Sequence, residues 1–256
     1  MMKKKALINI KGGLGNQLFI ILFANYLSKN GFKIYHDIGY YSGNDPYNRK
    51  FELKLKNFKL YLISPIYKKL FKLFGKSFGD VDNLSNLNTS YLNHFTGHYQ
   101  DMNFFDKDYL MKLLEIENSE NKNSVMIHIR RNDYINLDEE LQETFYIEAL
   151  NQLKSKHENL KVFVFTDDFN YKKKNLGPHE ISEVYNPTDE SPLDTLKKMI
   201  SYEHFIIANS SLSLIAASIG AKSTSMVFYP DPWMRNSNVA IKNIESSLES
   251  IKNIKS

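Results

Sequence analysis

The chain has 256 residues, of which 42% are hydrophobic and 24% charged, which is the composition of a soluble globular protein rather than a disordered one. Its 33 Lys and Arg against 29 Asp and Glu give a net charge of +4, which is weak evidence for a polyanionic partner. The absence of cysteine excludes disulfides, thiolate metal sites and a cysteine nucleophile, and it is compatible with a reducing cytoplasm. The longest apolar run, Leu18–Ala24, is too short to cross a membrane and no signal-peptide cleavage site follows the first lysines, so we expect a mature, soluble chain.

The chain opens as a strand, a glycine turn, a helix and a second strand. Lys5–Ile10 predicts the first strand, and Asn16–Asn30 has helical periodicity that ends at Gly31. Phe32–His36 predicts the second strand. This order is typical of the start of a parallel α/β sheet.

The segment Tyr61–Phe78 mixes aromatic and aliphatic residues with lysines, and Ser64-Pro65 is a helix-start signal within it. Two interpretations stay open. The segment is either a helix that lies on an anionic membrane or a domain helix with a solvated basic face.

From residue 124 onward, predicted strands alternate with predicted helices, which implies a second parallel sheet covered on both faces. We therefore predict an α/β fold of two Rossmann-like lobes with a central cleft, divided into residues 1–120 and 121–256. The predicted strands are Ser124–Arg130, Leu160–Thr166, Phe205–Ala208 and Thr224–Tyr229, and the predicted helices are Thr144–His157, Ser191–Glu203 and Ser210–Ile219.

The first candidate site is the glycine-rich run 12–17, with Gly13, Gly15, Asn16 and Gln17 as its binding residues. Glycines between a strand and a helix let the backbone approach a ligand, and the helix N-terminus offers free N–H groups to an anion. A plain tight turn explains the run equally well. The run is not a full dinucleotide fingerprint, but Asp37 stands where a ribose-binding acid would, so a nicotinamide dehydrogenase stays open as an alternative.

The second candidate is the run 128–134, which contains His128, Arg130, Arg131 and Asp133 at the carboxyl end of a predicted strand. Open α/β sheets bind ligands at that end. Two arginines on a strand point to opposite faces, so one would enter the cleft while the other pairs with Asp133 or the backbone. Guanidinium groups suit phosphate oxygens, although a surface ion-pair cluster is the plainer alternative.

Two further candidates follow later strands. After the strand that ends at Thr166, the carboxylate of Asp167 or Asp168 could accept two hydrogen bonds from guanine, whereas uracil offers one such donor; helix capping by Thr166 or Asp167 is the alternative. Asn209, Ser210 and Ser211 precede a helix and form a second candidate anion cradle, with capping by Ser210 as the alternative.

Signals for a metal site are weak. Asp80-Val81-Asp82 and Asp106-Lys107-Asp108 fit the Asp-x-Asp pattern of metal-dependent glycosyltransferases, but three-residue patterns are frequent by chance and neither follows a convincing strand. No His, Asp and Glu cluster has metal-site spacing, so we expect no metal and no cofactor.

Taken together and in this order, these segments resemble the bacterial α-1,2-fucosyltransferases of glycosyltransferase family 11. The resemblance covers nearly the whole chain, and it is most specific where the glycine run and the His-x-Arg-Arg-x-Asp run occur together. The matching segments are Gly12–Phe19, Tyr47–Leu53, Gly97–Asp101, His128–Tyr134, Phe165–Asp168, Asn209–Ser213 and Pro230–Trp233.

The resemblance implies a GT-B fold and an inverting, metal-independent transfer from GDP-fucose to a hydroxyl, such as O2 of a galactoside in a surface glycan or lipopolysaccharide. It implies that Arg131, with Arg130 and His128, holds the leaving GDP. Asp167 or Asp168 would read guanine, Ser210 and Ser211 would bind phosphate, and Asn16 would face the sugar diphosphate or the acceptor. It also implies that residues 1–120 take the acceptor and 121–256 the GDP-sugar, in a cytoplasmic enzyme with peripheral contact to the inner face of the membrane.

Three candidates by chemistry, Asp133, Asp138 and His98, could take the proton of the acceptor hydroxyl, and the sequence does not rank them. The alternatives that stay open are a sister enzyme using another GDP-deoxysugar such as GDP-colitose, the dehydrogenase, and a non-catalytic nucleotide-binding or nucleic-acid-binding module. We expect no nucleic-acid partner for the enzyme itself.

Overall fold

The computed structural model describes residues 3–43, 48–80, 90–117, 121–171, 176–186, 190–236, 241–247 and 251–255. The chain divides into two compact units, an N-terminal unit (Met1–Glu115) and a C-terminal unit (Ile116–Ser256). Each unit is built on one parallel sheet, which confirms the predicted α/β class with two parallel sheets. Tyr47 of the predicted motif, and Val81 and Asp82 of one Asp-x-Asp pattern, lie outside the described residues.

The sheet of the N-terminal unit has the strand order β2-β1-β4-β3. Both neighbours of β1 run parallel to it, with Lys5 opposite Lys33 on one side and opposite Leu92 on the other. The three central side chains of β1 are buried, as expected for a parallel strand covered on both faces. The elements of this unit are β1 (Lys5–Asn9), α1 (Leu14–Lys29), β2 (Lys33–Asp37), α2 (Pro65–Phe74), β3 (Lys76–Phe78), β4 (Leu92–Phe95) and α3 (Lys107–Leu114).

Helix α2 begins where the sequence predicts, because the Ser64 side chain accepts a hydrogen bond from the backbone N–H of Tyr67 and Pro65 occupies the first turn. It ends at Gly75, where a Cβ atom would lie 2.3 Å from the carbonyl oxygen of Phe71, so only glycine fits. The helix is therefore shorter than the segment Tyr61–Phe78, whose last residues form the short strand β3.

The sheet of the C-terminal unit has the strand order β10-β9-β8-β5-β6-β7, and all of its neighbouring strands are parallel. Chain order runs outward from β5 through β6 and β7 in one direction, and from β8 through β9 and β10 in the other. The order therefore reverses between β5 and β8, and open α/β sheets bind ligands beyond the carboxyl ends of the strands at such a point. The elements are β5 (Asn121–Ile129), α4 (Asn132–Leu137), α5 (Glu143–Lys154), β6 (Lys161–Thr166), β7 (Glu183–Tyr185), α6 (Pro192–Ile200), β8 (Tyr202–Ile206), α7 (Ser211–Gly220), β9 (Val227–Asp231), α8 (Ile244–Ser247) and β10 (Ile251–Lys255).

The core of this unit lies between the sheet and helix α5. Val125 and Ile127 of β5 and Val162 and Val164 of β6 are completely buried. This apolar layer holds the carboxyl ends of β5 and β6 side by side, with Ile129 opposite Thr166 in the register. Polar residues that follow these two strands are thereby brought together.

Among the described helices, none combines the length and the apolar character that crossing a membrane requires.

Candidate functional site

The carboxyl ends of β5 and β6 open into a pocket of about 250 Å³ in the C-terminal unit. Four of the predicted site residues line it, namely His128, Arg130, Thr166 and Asp167. The other lining residues were not among the predicted site residues; they are Asn132, Phe165, Phe169, Asn186, Glu190, Pro192, Thr195 and Leu212.

Arg130 is the guanidinium of this pocket, and two carboxylates hold it. Its Nε lies 3.0 Å from Oδ1 of Asp133 and 3.1 Å from Oδ2 of Asp167, and its Nη2 lies 2.9 Å from Oδ1 of Asp133. The guanidinium also lies over the ring of Tyr134, 5.6 Å from its centre. These contacts use Nε and Nη2, and a guanidinium has five N–H groups, so donors remain for a ligand.

Asp167 has a second contact, with the backbone at the start of α4. Its Oδ1 accepts hydrogen bonds from the backbone N–H groups of Arg131, at 2.7 Å, and Asn132, at 3.3 Å. Asp167 therefore caps α4, which precedes it in the chain, whereas the capping alternative had placed it at the start of the next helix after its own strand. The same carboxylate thus ties the end of β6 to the loop that carries both arginines.

The predicted strand Ser124–Arg130 is confirmed as β5, which ends one residue earlier, at Ile129, and Arg131 stands at the N-cap of α4. The two arginines therefore diverge through the turn and not through strand alternation. The Arg131 side chain lies 3.5 Å from Oδ2 of Asp168 and 3.6 Å from Oε2 of Glu140 and does not line the pocket. Both arginines are thus paired with acids, where the sequence had predicted pairing for one of them.

His128 is a buried polar side chain at the base of the pocket. It is only 7% exposed, and its Nδ1 has no hydrogen-bond partner among the described residues. Burial, and to a lesser extent the charge of Arg130, lowers the pKa of His128 to about 3. The imidazole is therefore neutral near pH 7 and presents either a donor or an acceptor nitrogen.

The carboxylate predicted to read guanine has two candidates in different places. Asp168 does not line the pocket; its backbone N–H donates to Oγ1 of Thr166 at 3.1 Å, and its Oδ1 accepts from the backbone N–H of Asn170 at 2.8 Å. Asp167 does line the pocket. Phe169 follows Asp168 in the chain. Its side chain is 67% exposed, although it borders the pocket.

The predicted cradle Asn209–Ser213 is largely occupied by structural contacts. The Asn209 Nδ2 donates to the carbonyl of Glu139 at 2.8 Å, and the Ser213 hydroxyl bonds to the carbonyls of Ser210 and Ala208. Ser210 is the N-cap of α7, but its side chain makes no capping hydrogen bond. Of this segment only Leu212 lines the pocket, so Asn209, Ser210 and Ser211 are not part of its wall.

Half of the lining residues that the sequence did not predict come from the start of α6 and the stretch before it. Ser191 caps this helix by accepting from the backbone N–H of Asp194, and Pro192 stands in its first turn. The sequence predicts this helix start but not that it borders the pocket, because the pairing of β7 beside β6 is a long-range contact. Thr195, a buried polar residue one turn into an amphipathic helix, was the available signal.

The glycine run lies in the N-terminal unit, and its two polar residues, Asn16 and Gln17, make different contacts. Gly12 has a φ of +78°, and Gly13 is the N-cap of α1, where a Cβ atom would meet nothing within 4 Å. Gln17 is completely buried: its Nε2 donates to the carbonyls of Gly12 (3.1 Å) and Lys50 (2.8 Å), and its Oε1 accepts from the N–H of Glu52 (3.0 Å). Gln17 therefore clamps the glycine run to residues 50–52, and its role as a substrate-binding residue stays a prediction.

Asn16 is half-buried and joins the glycine run to the loop 97–101, since its Oδ1 accepts from Nε2 of Gln100 at 2.7 Å. The same loop is held by Asp80, whose Oδ1 accepts from the N–H groups of His98 (2.6 Å) and Tyr99 (2.8 Å). Burial and the nearby Lys11 lower the pKa of His98. Two of the predicted family segments thus meet in this unit. Gly15, by contrast, is buried in the first turn of α1.

The acids considered for other sites have structural partners. Asp106 caps α3 and pairs with Lys29 at 2.6 Å. Asp37, the ribose acid of the dehydrogenase alternative, pairs with Lys68 at 2.6 Å and accepts from the N–H of Gly39. In the part of the chain that the structure describes, no three His, Asp or Glu side chains form a group that could hold a metal ion.

Comparison of the chain with known protein families gives one match that includes the pocket. The sequence model of glycosyl transferase family 11 matches residues 79–245, a range that holds every residue of the pocket wall. The chain belongs to glycosyl transferase family 11. Membership of this family confirms the predicted family and the glycosyltransferase class. It excludes the two alternatives of another class, the dehydrogenase and the non-catalytic binding module.

A relative of this family 11 chain is a protein from Escherichia coli described as an alpha-1,2-colitosyltransferase. The two are 32% identical over 125 residues, which is 43% of this chain and 41% of the relative. The match therefore spans less than half of that relative's length.

Two solved structures have a similar fold. The crystal structure of NodZ α-1,6-fucosyltransferase co-crystallised with GDP has a TM-score of 0.50 at 13% identity, and it covers 86% of this chain and 93% of that one. The fucosyltransferase NodZ from Bradyrhizobium has the same TM-score and identity, with 86% and 94% coverage. At this identity the likeness establishes the fold alone: a GT-B-like α/β fold with two parallel sheets, one in each unit of the family 11 chain.

Proposed function

We propose that the protein transfers L-fucose from GDP-fucose, with inversion, to a hydroxyl group such as O2 of a galactoside in a surface glycan or lipopolysaccharide. The observation that carries this proposal is the pocket guanidinium of Arg130, held by Asp133 and Asp167 at the carboxyl ends of two parallel strands. A guanidinium in such a place suits the oxygens of a nucleoside diphosphate. The C-terminal unit is accordingly proposed as the donor side and the N-terminal unit as the acceptor side.

In the proposed reaction the C1–O bond to GDP lengthens, and negative charge develops on the β-phosphate. Arg130 is positioned to stabilise that negative charge, because two carboxylates fix the orientation of its guanidinium before the donor binds. One preorganised donor of this kind contributes about 2.7–4 kcal/mol to transition-state stabilisation. Arginine supplies the positive charge directly, and we therefore propose that the transfer needs no divalent cation.

Other residues have supporting roles in this proposal. Arg131, through its pairs with Asp168 and Glu140, positions the loop after β6. His128 contributes a neutral ring nitrogen to the base of the pocket. Asp167 is the carboxylate better placed to read guanine, because it lines the pocket and Asp168 does not. Ser210 and Ser211 remain proposed phosphate ligands through the start of α7, whose residue Leu212 reaches the pocket.

No residue is assigned as the base for the acceptor hydroxyl. Asp133 is engaged with Arg130, and Oδ2 of Asp138 accepts from Nδ2 of Asn236 at 3.3 Å. His98 lies in the N-terminal unit, on the proposed acceptor side. The departing phosphate can take the proton itself, so the reaction as proposed does not depend on a protein base.

A second donor is supported by the named relative. The E. coli protein with 32% identity is described as a colitosyltransferase, so GDP-colitose is an alternative donor for the same pocket. The place of action is proposed to be the cytoplasm, with peripheral contact to the inner face of the membrane.

Donor screening tests the proposal. The protein is incubated with GDP-fucose, GDP-colitose, GDP-mannose or UDP-galactose and a β-galactoside acceptor, and products are sought by mass. A fucosylated product that forms equally well with EDTA supports the proposal, and a colitosylated product supports the alternative. Transfer only from the UDP-sugar, or no thermal stabilisation by GDP, would refute the proposed donor class.

A further inference from the structure

Helix α2 carries an exposed apolar face that the proposed transferase chemistry does not use. Three of its side chains are mostly in solvent: Ile66 is 76% exposed, Phe74 72% and Leu73 64%. Tyr67 and Leu70 are exposed beside them. Soluble proteins rarely leave so many large apolar side chains exposed on one element, and such patches mark interaction surfaces.

The geometry of the helix separates three arcs. Phe71 is completely buried and packs against the ring of Tyr35, so it marks the side that faces the unit. At 100° per residue, Tyr67, Phe74, Leu70, Ile66 and Leu73 follow one another along one flank of Phe71, whereas Lys68, Lys72 and Lys69 follow along the other. The helix is thus anchored by one residue and presents an apolar flank and a basic flank to its surroundings.

The stretch of chain that contains this helix carries charges of a single sign. Residues 53–79 contain seven lysines and no aspartate or glutamate. Lys69, Lys72 and Lys76 are exposed beside or just beyond the apolar flank, and only Lys68 is drawn inward, where it pairs with Asp37. The surface therefore attracts an anionic partner and offers that partner apolar side chains at the same place.

We propose that this α2 surface docks on an anionic lipid bilayer. A helix with exposed aromatic and aliphatic residues on one flank and lysines on the other lies in a membrane interface, with the apolar side chains below the headgroups and the lysines at the phosphates. A second copy of the chain fits less well, because a twofold interface would bring the lysines of the two copies together. Protein interfaces in general are also poor in lysine.

This inference deepens the proposed peripheral membrane contact by naming the surface that makes it, and it does not depend on the transfer reaction. If it holds, the enzyme meets its acceptor on a membrane, which favours a lipid-linked glycan over a free oligosaccharide. Its failure would leave the donor pocket unaffected, because the α2 surface shares no residue with that pocket.

Vesicle co-sedimentation tests the proposal with the full chain. Vesicles of phosphatidylcholine with phosphatidylglycerol should bind the protein, pure phosphatidylcholine vesicles should bind it poorly, and added salt should weaken the binding. The triple variant Ile66→Gln, Leu73→Gln, Phe74→Gln keeps a good helix former at each position and should lower partitioning at least about tenfold. In Lys69→Gln, Lys72→Gln each lost charge should lower it roughly fivefold.

Two controls accompany these variants. Lys69→Arg, Lys72→Arg keeps the charge and should bind like the wild type. Ile135→Gln, Leu137→Gln removes two exposed apolar side chains, 50% and 51% exposed, from the C-terminal unit and should also bind normally. Thermal stabilisation by GDP should be the same in all variants, which separates this test from that of the donor.

Three results would overturn the proposal. One is a wild type that does not bind anionic vesicles, and another is equal binding to neutral vesicles. The third is self-association in sedimentation velocity that the triple variant abolishes while vesicle binding is absent, which would assign the surface to a second copy of the chain.

Discussion

Asp133 holds Arg130 from one turn further along the chain: a single carboxylate oxygen of Asp133 lies 3.0 Å from Nε and 2.9 Å from Nη2 of Arg130. Because two nitrogens converge on that oxygen, the plane of the guanidinium is set by a residue of its own loop. Asp167 reaches the same Nε from the neighbouring strand at 3.1 Å. The guanidinium is thus oriented before any ligand enters, which is the condition for electrostatic stabilisation of a developing charge.

Arg130→Lys should therefore reduce turnover by about two to three orders of magnitude, close to the loss in Arg130→Ala, because an ammonium cannot be oriented by two carboxylates and still present a planar edge. Arg131→Ala should cost less, since Arg131 acts through Asp168 and Glu140. Steady-state transfer rates and GDP affinity of the three variants check this order. A larger loss for Arg131→Ala would show that the second arginine is the phosphate ligand, and denaturation curves would establish that each variant is folded.

Substitution of Gln17 tests whether its side chain only stabilises the fold or also binds the nucleotide. Gln17→Ala should lower the free energy of unfolding by about 2–4 kcal/mol, because it breaks three hydrogen bonds of a completely buried side chain and removes its bonds to the Lys50 carbonyl and the Glu52 N–H. GDP affinity should not change. Urea denaturation and calorimetric titration measure the two effects, and Gln152→Ala on the exposed side of α5 is the matched control, with a change within about 0.5 kcal/mol. Full stability with lost GDP binding would show that Gln17 is a ligand.

The features that depend on local sequence are predictable in this chain, and those that depend on long-range contacts are not. The strand and helix order, the α2 cap at Ser64-Pro65 and the grouping of His128, Arg130 and Asp167 at strand ends are predictable, because capping chemistry and apolar runs are local. The sequence does not predict which arginine enters the pocket. That depends on the end of β5 at Ile129, one residue before the predicted end, and on the hydrogen bond from the Arg131 N–H to Asp167, which follows the neighbouring strand β6. Glu190 and Thr195 also line the pocket, and they follow β7, whose pairing beside β6 is a long-range contact.

His128 predicts a pH dependence of stability. Its pKa in the folded protein is lowered to about 3, whereas an unfolded histidine titrates near its ordinary value of 6.5. Above pH 6.5 the group is neutral in both states and contributes nothing to the pH dependence. As the pH falls below that value only the unfolded state takes up the proton, so stability is lost down to about pH 3.

Relative to wild type, His128→Gln should therefore show a shallower fall in stability between pH 6.5 and pH 3, and the two curves should differ in shape by about 2 kcal/mol at pH 5. Burial also lowers the pKa of His36 to about 4, and since His36 is present in both proteins its contribution cancels in the comparison. Urea denaturation across this pH range is the measurement. Parallel curves would show that His128 does not stay neutral in the folded protein.

Phe169 provides the sharpest test of what the pocket binds. A large aromatic side chain that is 67% exposed at the border of a pocket contributes little to folding but offers a flat surface to a nucleobase. Stacking on an aromatic side chain is worth about 1–3 kcal/mol per base, so Phe169→Ala should weaken GDP binding by about 5- to 150-fold and leave the free energy of unfolding within about 0.5 kcal/mol of wild type. Phe169→Trp should restore affinity, whereas Phe169→Leu, which keeps apolar bulk without the ring, should not. Calorimetric titration with GDP and with ribose 5-phosphate separates the base from the rest of the nucleotide: only GDP should respond to the substitution. Equal GDP affinity in Phe169→Ala would place the base elsewhere, and with it the carboxylate of Asp167 would lose its proposed role in reading guanine.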